Sequence, residues 1–188
     1  MTTNPQGYKP KNPRKKYPLT IDQQRKLIDK AEGKTKAVLL FFLSTGAHPS
    51  VLTDEDKEYR LDLTDDNYYS WNRPKTHREV QGRYPKCLQD KALRKTLNSK
   101  YTKGKDPTRY WQIIKKLGED VGIKGVCPVQ LRHTYFVNRG RLGHHIWDIA
   151  HGAATSVETI SQYYTIGMGE SKKLSQDDRA FLEWLMEV

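Results

Sequence analysis

An arginine, a lysine and a pair of tyrosines are the residue types in this sequence best suited to act on a phosphate group. Arg132 stands in a Leu-Arg-His-Thr segment, Lys75 follows a proline, and Tyr163 and Tyr164 are adjacent toward the C-terminus. The planar guanidinium of arginine donates two parallel hydrogen bonds to phosphate oxygens. A lysine ammonium can protonate a leaving oxygen, and a tyrosine hydroxyl can attack as a nucleophile. These residue types indicate phosphate chemistry, provided that the fold brings them together.

The positive charge of the chain is concentrated in two segments. The 188 residues include 33 Lys and Arg against 22 Asp and Glu, a formal net charge of +11. Residues 71–116 hold 14 basic and 3 acidic side chains, and residues 1–36 hold 10 basic and 3 acidic. Residues 51–70 are acidic, with 7 acidic and 2 basic side chains. Concentrated positive charge predicts a polyanionic partner, because neutralising phosphates releases their counterions.

The composition argues against several other classes of protein. No stretch approaches the roughly 18 apolar residues of a membrane span, and the basic N-terminus lacks the apolar core of a secretion signal. No basic segment carries the wide apolar face of a membrane-surface helix. The two cysteines, Cys87 and Cys127, predict a reduced, cytoplasmic protein. His144, His145 and His151 have no cysteine or carboxylate partner at zinc-like spacing, so we expect no metal.

The N-terminal half changes from a helical to a strand pattern. Thr20 and Gln23 form a capping-box pattern ahead of a helix that Gly33 can end, and a buried helix follows over residues 34–44 with Gly46 as its C-terminal cap. Short apolar–polar segments separated by turn residues then predict a small antiparallel sheet. Its three predicted strands are residues 60–63, 68–71 and 78–80.

The pattern of the C-terminal half predicts helices. Together with the small predicted sheet, this makes the expected fold class mostly helical α+β. The predicted helices are residues 88–97, 107–121, 128–139, 145–150, 156–165 and 175–188. The apolar stripe of the fourth of the chain's helices is Trp111, Ile114, Leu117 and Val121, and that of the last is Phe181, Trp184, Leu185 and Val188. We expect a flexible basic arm over residues 1–17, one domain over 18–170, and a separate C-terminal helix over 171–188.

Four segments, taken in order, resemble the signature of the tyrosine recombinases, the phage-type integrases and their relatives. They are Ser44-Thr45-Gly46-Ala47-His48-Pro49-Ser50, Arg73-Pro74-Lys75-Thr76, Leu131-Arg132-His133-Thr134 and Glu158-Thr159-Ile160-Ser161-Gln162-Tyr163-Tyr164-Thr165. The resemblance implies a mostly helical catalytic domain with a small antiparallel sheet. It also implies site-specific recombination or integration of duplex DNA, as in mobile genetic elements. A tyrosine attacks a phosphodiester to give a 3′-phosphotyrosyl bond, without metal or cofactor.

The resemblance assigns roles to individual residues. It makes Arg132 the phosphate-clamping arginine and Lys75 the general acid on a hairpin. Tyr163 and Tyr164 compete as nucleophile. If Val157 and Ile160 mark the core face of their helix, Tyr164 continues that face, so we expect Tyr163 to be the freer tyrosine and favour it. Tyr164 remains the alternative, because it matches a Tyr-Thr ending seen in other members.

Histidines and departures from the family pattern complete the predicted site. His133 and His151 are candidates to support the pocket. His48 stands where the family has an arginine; it can donate one hydrogen bond but lacks the bidentate fork. Val129 replaces a histidine or lysine and can donate nothing. Losing one transition-state donor costs a rate factor of about 10²–10³, so the activity of the pocket is left open.

Duplex DNA is the expected partner, with no membrane and no small-molecule substrate. The residues expected to contact DNA are Arg73, Arg78, Arg83, Lys103, Lys105 and Arg109. The C-terminal helix resembles a segment that family members donate to a neighbouring protomer, which implies a homo-oligomer on DNA; packing on its own domain is the alternative. Three functions stay open: an active recombinase, a non-enzymatic DNA-binding protein of the same fold, and an RNA-binding or structural module with accidental motif matches.

Overall fold

The computed structural model describes residues 17–53, 59–63, 67–73, 77–97 and 108–188, and folds them into helices around one two-stranded sheet. The α-helices of these residues are α1 (Ile21–Lys30), α2 (Gly33–Thr45), α3 (Lys91–Leu97), α4 (Thr108–Asp120), α5 (Pro128–Arg141), α6 (Ile146–Gly152), α7 (Val157–Ser171) and α8 (Gln176–Met186). The strands are β1 (Tyr68–Arg73) and β2 (Arg78–Arg83), and short 3₁₀ turns cover Pro49–Leu52 and Lys86–Leu88. Of the predicted arm, residues 1–17, only Tyr17 is described.

Helix α1 begins after the predicted cap Thr20 and α2 ends at the predicted cap Gly46. The prediction that Gly33 ends the first helix is wrong, because α1 ends at Lys30 with Ala31 as its C-cap and Gly33 is the first residue of α2. Thr20 Oγ1 accepts from the Gln23 backbone N–H at 3.2 Å, and Gln23 Oε1 accepts from the Thr20 N–H at 3.0 Å, which completes the capping box. Helix α2 is buried along its last nine residues and forms the centre of the core. It ends at Gly46, whose φ of 62° lies in the left-handed region that glycine adopts without steric cost.

The sheet is smaller than predicted. Strands β1 and β2 pair antiparallel, with Trp71 opposite Val80 and Arg73 opposite Arg78. The predicted third strand, residues 60–63, is wrong: the chain there makes one isolated bridge, between Asp62 and Ser70. Leu61, next to the bridged Asp62, donates its N–H to the carbonyl of Val51 at 2.9 Å, which ties this segment to the turn after α2.

Helices α5 and α7 pack in unusually close contact. A Cβ at Gly167 would overlap the carbonyl oxygen of Val137 and lie 2.9 Å from the backbone nitrogen of Arg141. On the facing helix, a Cβ at Gly140 would lie 3.0 Å from the carbonyl oxygen of Tyr164. The two glycines let the backbones meet, which fixes the tyrosine-bearing helix against the helix that carries Arg132.

The apolar stripes of two helices differ from the prediction. In α4, Ile114 and Leu117 are buried as predicted, but Trp111 is 43% exposed and Tyr110 takes the core position. In α8 the buried residues are Leu182, Leu185 and Met186, whereas Trp184 and Val188 are exposed. Each helix therefore keeps part of its predicted stripe, Ile114 and Leu117 in α4 and Leu185 in α8, and leaves its tryptophan partly exposed.

The C-terminal helix packs on its own domain in this structure. Cys87 Sγ donates to the carbonyl of Leu185 at 3.3 Å, and Lys86 N–H donates to that of Glu187 at 2.8 Å. Docking on a neighbouring protomer stays a prediction.

The predicted helix at residues 88–97 is divided into a 3₁₀ turn and α3. Every helix in the described ranges is too short or too polar to cross a membrane.

Candidate phosphate-binding site

Arg132 is buried and held by main-chain carbonyls. It lies on the first turns of α5, which begins at Pro128. Its Nη1 donates to the carbonyl of Gly46, and its Nη2 donates to that of Ala153 at 3.0 Å. The guanidinium also lies 5.3 Å from the centre of the Phe136 ring. These contacts use two of its five N–H donors, so the others can bind a ligand without moving the side chain.

Burial and, to a smaller extent, the positive charge of Arg73 lower the pKa of Arg132 to about 10. The group is still protonated at neutral pH. In the described ranges no carboxylate forms an ion pair with it. A buried cation without a counter-ion is costly unless an anion binds, so the site is suited to an anionic ligand.

A cleft of about 160 Å³ opens beside this guanidinium. Its lining is His48, Ser50, Val51, Trp71, Arg73, Arg132 and Ala153. Two arginines and a histidine thus face one cavity, and none of the described residues that line it is acidic. These residues come from α5, the end of α6, the 3₁₀ turn after α2 and strand β1, so the tertiary fold and not one local motif builds the cleft.

His48 enters this cleft from the turn after α2. Its Nδ1 accepts from the Ser50 backbone N–H at 3.3 Å and lies 2.9 Å from the Ser50 hydroxyl, which caps the 3₁₀ turn Pro49–Leu52. The neutral ring that accepts at Nδ1 carries its proton on Nε2. The role of His48 as a hydrogen-bond donor to a ligand stays a prediction.

Arg73 reaches the cleft because of strand alternation. Residues two apart in a strand point to the same face, so Arg73 shares the face of Trp71, whose ring packs 5.9 Å from that of Phe41 in the core. Burial lowers the pKa of Arg73, and the cation of Arg78, directly opposite in the ladder, lowers it as well. The end of the hairpin is therefore a concentrated positive site.

The expectation that Tyr163 is the freer of the two tyrosines is wrong. Tyr163 is 1% exposed, and its ring stacks on that of His133 with the centroids 4.2 Å apart. Ile160, Tyr163 and Gly167 are the buried residues of α7, so the core face runs through Tyr163. Tyr164 is half-buried and is the more accessible phenol. Neither tyrosine lines the cleft around Arg132.

The remaining predicted residues fall in different places. His133 is half-buried against Tyr163, and His151 is exposed at the end of α6 and does not line the cleft. Val129 is 42% exposed on α5. Lys75, the predicted acid, lies outside the described residues.

The predicted DNA contacts are distributed over the hairpin and α4. Arg78 and Arg83 are exposed on β2, and Arg83 Nε donates to the Tyr68 hydroxyl at 3.2 Å. Arg109 is exposed at the start of α4. Lys103 and Lys105 lie outside the described residues.

Sequence reasoning missed three features of the site. It treated Arg73 as a general DNA contact, although its period-2 spacing from Trp71 could have placed it on the core face. It did not anticipate the carbonyls that hold Arg132, one of which belongs to Ala153. The third missed feature is the backbone of the next residue, Ala154. Its φ of 46° is a left-handed conformation that is strained for a residue with a Cβ.

Solved structures with a similar fold are site-specific recombinases. The crystal structure of XerA recombinase matches with a TM-score of 0.64 and 23% identity, over 93% of this chain and 65% of that chain. XerH site-specific recombinase, bound to its palindromic difH substrate in a post-cleavage complex, matches with a TM-score of 0.60 and 11% identity, over 84% and 52%. A lambda integrase dimer bound to a COC′ core site matches with a TM-score of 0.59 and 14% identity, over 80% and 59%.

This chain has the fold of the tyrosine recombinase catalytic domain, and the predicted fold class is confirmed. The chain spans between 52% and 65% of the length of these three recombinases. No protein-family model and no curated protein sequence matches it.

Proposed function

We propose that the chain binds duplex DNA and cuts and rejoins one strand through a phosphotyrosyl link. One observation carries the proposal: the buried Arg132, without a carboxylate partner in the described ranges, faces a cleft that it shares with Arg73 and His48. A phosphodiester is the anion that fits this set of donors, because arginine forks match phosphate oxygens. The recombinase-type fold and the two DNA-bound neighbours support the choice of duplex DNA.

The proposed step balances without metal or cofactor. The tyrosine hydroxyl gives its proton to solvent and its oxygen bonds to phosphorus, while the bond from phosphorus to the 5′ oxygen breaks, which leaves a 3′-phosphotyrosyl bond. The leaving oxygen takes a proton from Lys75 and becomes a 5′-hydroxyl. Arg132 stabilises the charge that develops on the phosphate oxygens, and His48 Nε2 adds one hydrogen bond. The reverse attack by a 5′-hydroxyl rejoins the strand.

Tyr164 is the proposed nucleophile. Tyr163 is enclosed between His133 and Phe136, with ring centroids 4.2 Å and 6.2 Å away, and its release would disrupt the core. Tyr164 is half-buried on the same helix, so it can turn toward a bound phosphate at a lower cost. The close contact between α5 and α7 fixes the position of the tyrosine-bearing helix relative to Arg132 on α5.

A suicide substrate tests the proposal. Sequences that bind the protein are enriched from a randomised duplex pool and are then rebuilt with a nick, so that the released fragment diffuses away and the adduct accumulates. Tyr163→Phe is the matched control for Tyr164→Phe, because each variant removes one hydroxyl and retains its ring. We expect an adduct from the parent and from Tyr163→Phe, none from Tyr164→Phe, and a rate about 10²–10³-fold lower for Arg132→Gln. Adduct formation by Tyr164→Phe would contradict the assignment.

A non-enzymatic DNA-binding protein is the second candidate. It is favoured by the lining of the cleft, which contains a histidine in place of the family arginine and neither tyrosine. It predicts duplex binding that weakens as salt is raised and survives the double replacement Tyr163→Phe with Tyr164→Phe. It also predicts no adduct from any variant. An adduct from the parent would exclude it.

A further inference from the structure

We infer that Arg73 provides the second guanidinium of the phosphate site and replaces the family arginine that is absent at His48. The inference rests on the proposed function, because it names a residue that would contact the same scissile phosphate. Arg73 and Arg132 come from β1 and α5 and line the same cleft, and His48 completes it from a third element. A phosphate between the two arginines would be held from two sides.

Among the residues that the structure describes, none forms an ion pair with Arg73. Other buried or half-buried arginines do have carboxylate partners: Arg141 pairs with Glu170 at 2.7 Å, and Arg139 pairs with Glu187 at 3.3 Å. Within the described ranges, Arg73 has no such partner and instead faces the cation of Arg78 across the ladder. Like charges directly opposite in a sheet are destabilising, and a bound anion would relieve the repulsion.

The chemistry explains why a second arginine is needed. His48 offers one hydrogen bond from Nε2, whereas the transition state of phosphoryl transfer carries its charge on several equatorial oxygens. Arg73 retains a planar fork, and its placement on the core face of the hairpin directs it into the cleft. The family has its second arginine at the position of His48, in the turn after α2. Here we infer that Arg73 on β1 provides that guanidinium.

Titration with inorganic phosphate tests the inference without DNA. The probe is the Nε–Hε resonances of the arginines in the nitrogen-labelled full chain. We expect phosphate to shift the signals of Arg132 and Arg73, and Arg73→Gln to weaken its affinity about tenfold to hundredfold, the effect of losing a charge-assisted contact. Arg179→Gln removes the same charge from the exposed face of α8 and should leave the affinity unchanged. His48→Arg should restore phosphate binding in the Arg73→Gln background.

Two results would overturn the inference: an Arg132 signal that phosphate does not shift, or equal affinities for Arg73→Gln and Arg179→Gln. Circular dichroism of each variant shows whether it is folded, and loss of a repelled cation should not unfold it. The outcome is separate from that of the suicide substrate. If phosphate needs Arg73 but no adduct forms, the inference stands and strand cleavage fails; if adducts form equally with Arg73→Gln, cleavage stands and the inference fails.

Discussion

Replacing Gly167 by alanine should weaken the contact that places the tyrosine helix against the arginine helix. The new Cβ would overlap the carbonyl oxygen of Val137 and lie 3.0 Å from Gly140 Cα. Both neighbours are backbone atoms of α5, so no side chain can rotate away to make room. The two helices would have to move apart or shift along each other.

The expected magnitude follows from two opposing terms. Alanine in a helix interior is favoured over glycine by about 1 kcal/mol, whereas overpacking a closely packed contact costs about 1–3 kcal/mol. Because the overlap at Gly167 is with backbone, we take the upper part of that range and expect a net loss of about 2 kcal/mol. Gly169 lies on the same helix with open space around its Cβ position, so Gly169→Ala should gain about 0.5–1 kcal/mol.

Urea unfolding measures both variants. We expect the midpoint to fall for Gly167→Ala and to rise for Gly169→Ala with little change in the slope, which would report a change of stability and not of compactness. Equal midpoints for the two variants would refute the idea that α5 and α7 meet at this glycine. Any adduct formed by the parent should also decrease with Gly167→Ala more than with Gly169→Ala, because the tyrosine would move relative to Arg132.

Two further predictions concern buried polar groups. Asn138→Ala should lower the free energy of unfolding by about 2–3 kcal/mol, because its amide exchanges hydrogen bonds with Gln24 and accepts from Arg141 at 2.8 Å, and these groups would lose their partner. An unchanged urea midpoint would contradict this. Burial raises the pKa of the Cys87 thiol to about 12, so little of the reactive thiolate is present at pH 8. In a Cys127→Ser background, we therefore expect iodoacetamide to modify Cys87 at least about a hundredfold more slowly in the native protein than in the urea-unfolded chain. Equal rates would show that the thiol is exposed.

The sequence predicts those elements whose signals are local. The capping box at Thr20 sets the start of α1, and the left-handed cap at Gly46 sets the end of α2. Both depend on contacts within a few residues, so they could be anticipated. Segments whose state depends on distant partners could not. Residues 60–63 alternate like a strand, but their pairing with β1 is limited to the bridge between Asp62 and Ser70, and Leu61 bonds to the carbonyl of Val51.

The error over the tyrosines has the same kind of cause. Hydropathy alone makes Val157, Ile160 and Tyr164 the core face of α7, whereas Ile160, Tyr163 and Gly167 are buried. A glycine has no apolar signal, yet here it is the point at which two backbones meet and decides which face turns inward.

The candidate site was predictable in part. The Arg-His-Thr segment and the order of the motifs lead to Arg132, and its burial beside a cleft agrees with a functional role. The joint placement of Arg73 and His48 depends on the packing of the hairpin against the turn after α2. Contacts between elements that are distant in the sequence leave no periodic pattern of residue types from which they could be predicted.

The position of a nucleotide on the protein tests the central claim most directly. The parent protein is incubated with the nicked duplex from the enriched pool, the DNA is digested, and the peptides are analysed by mass spectrometry. We predict a nucleotide linked through its 3′ phosphate to Tyr164. A modified Tyr163, or full DNA binding with no modified peptide, would contradict the account.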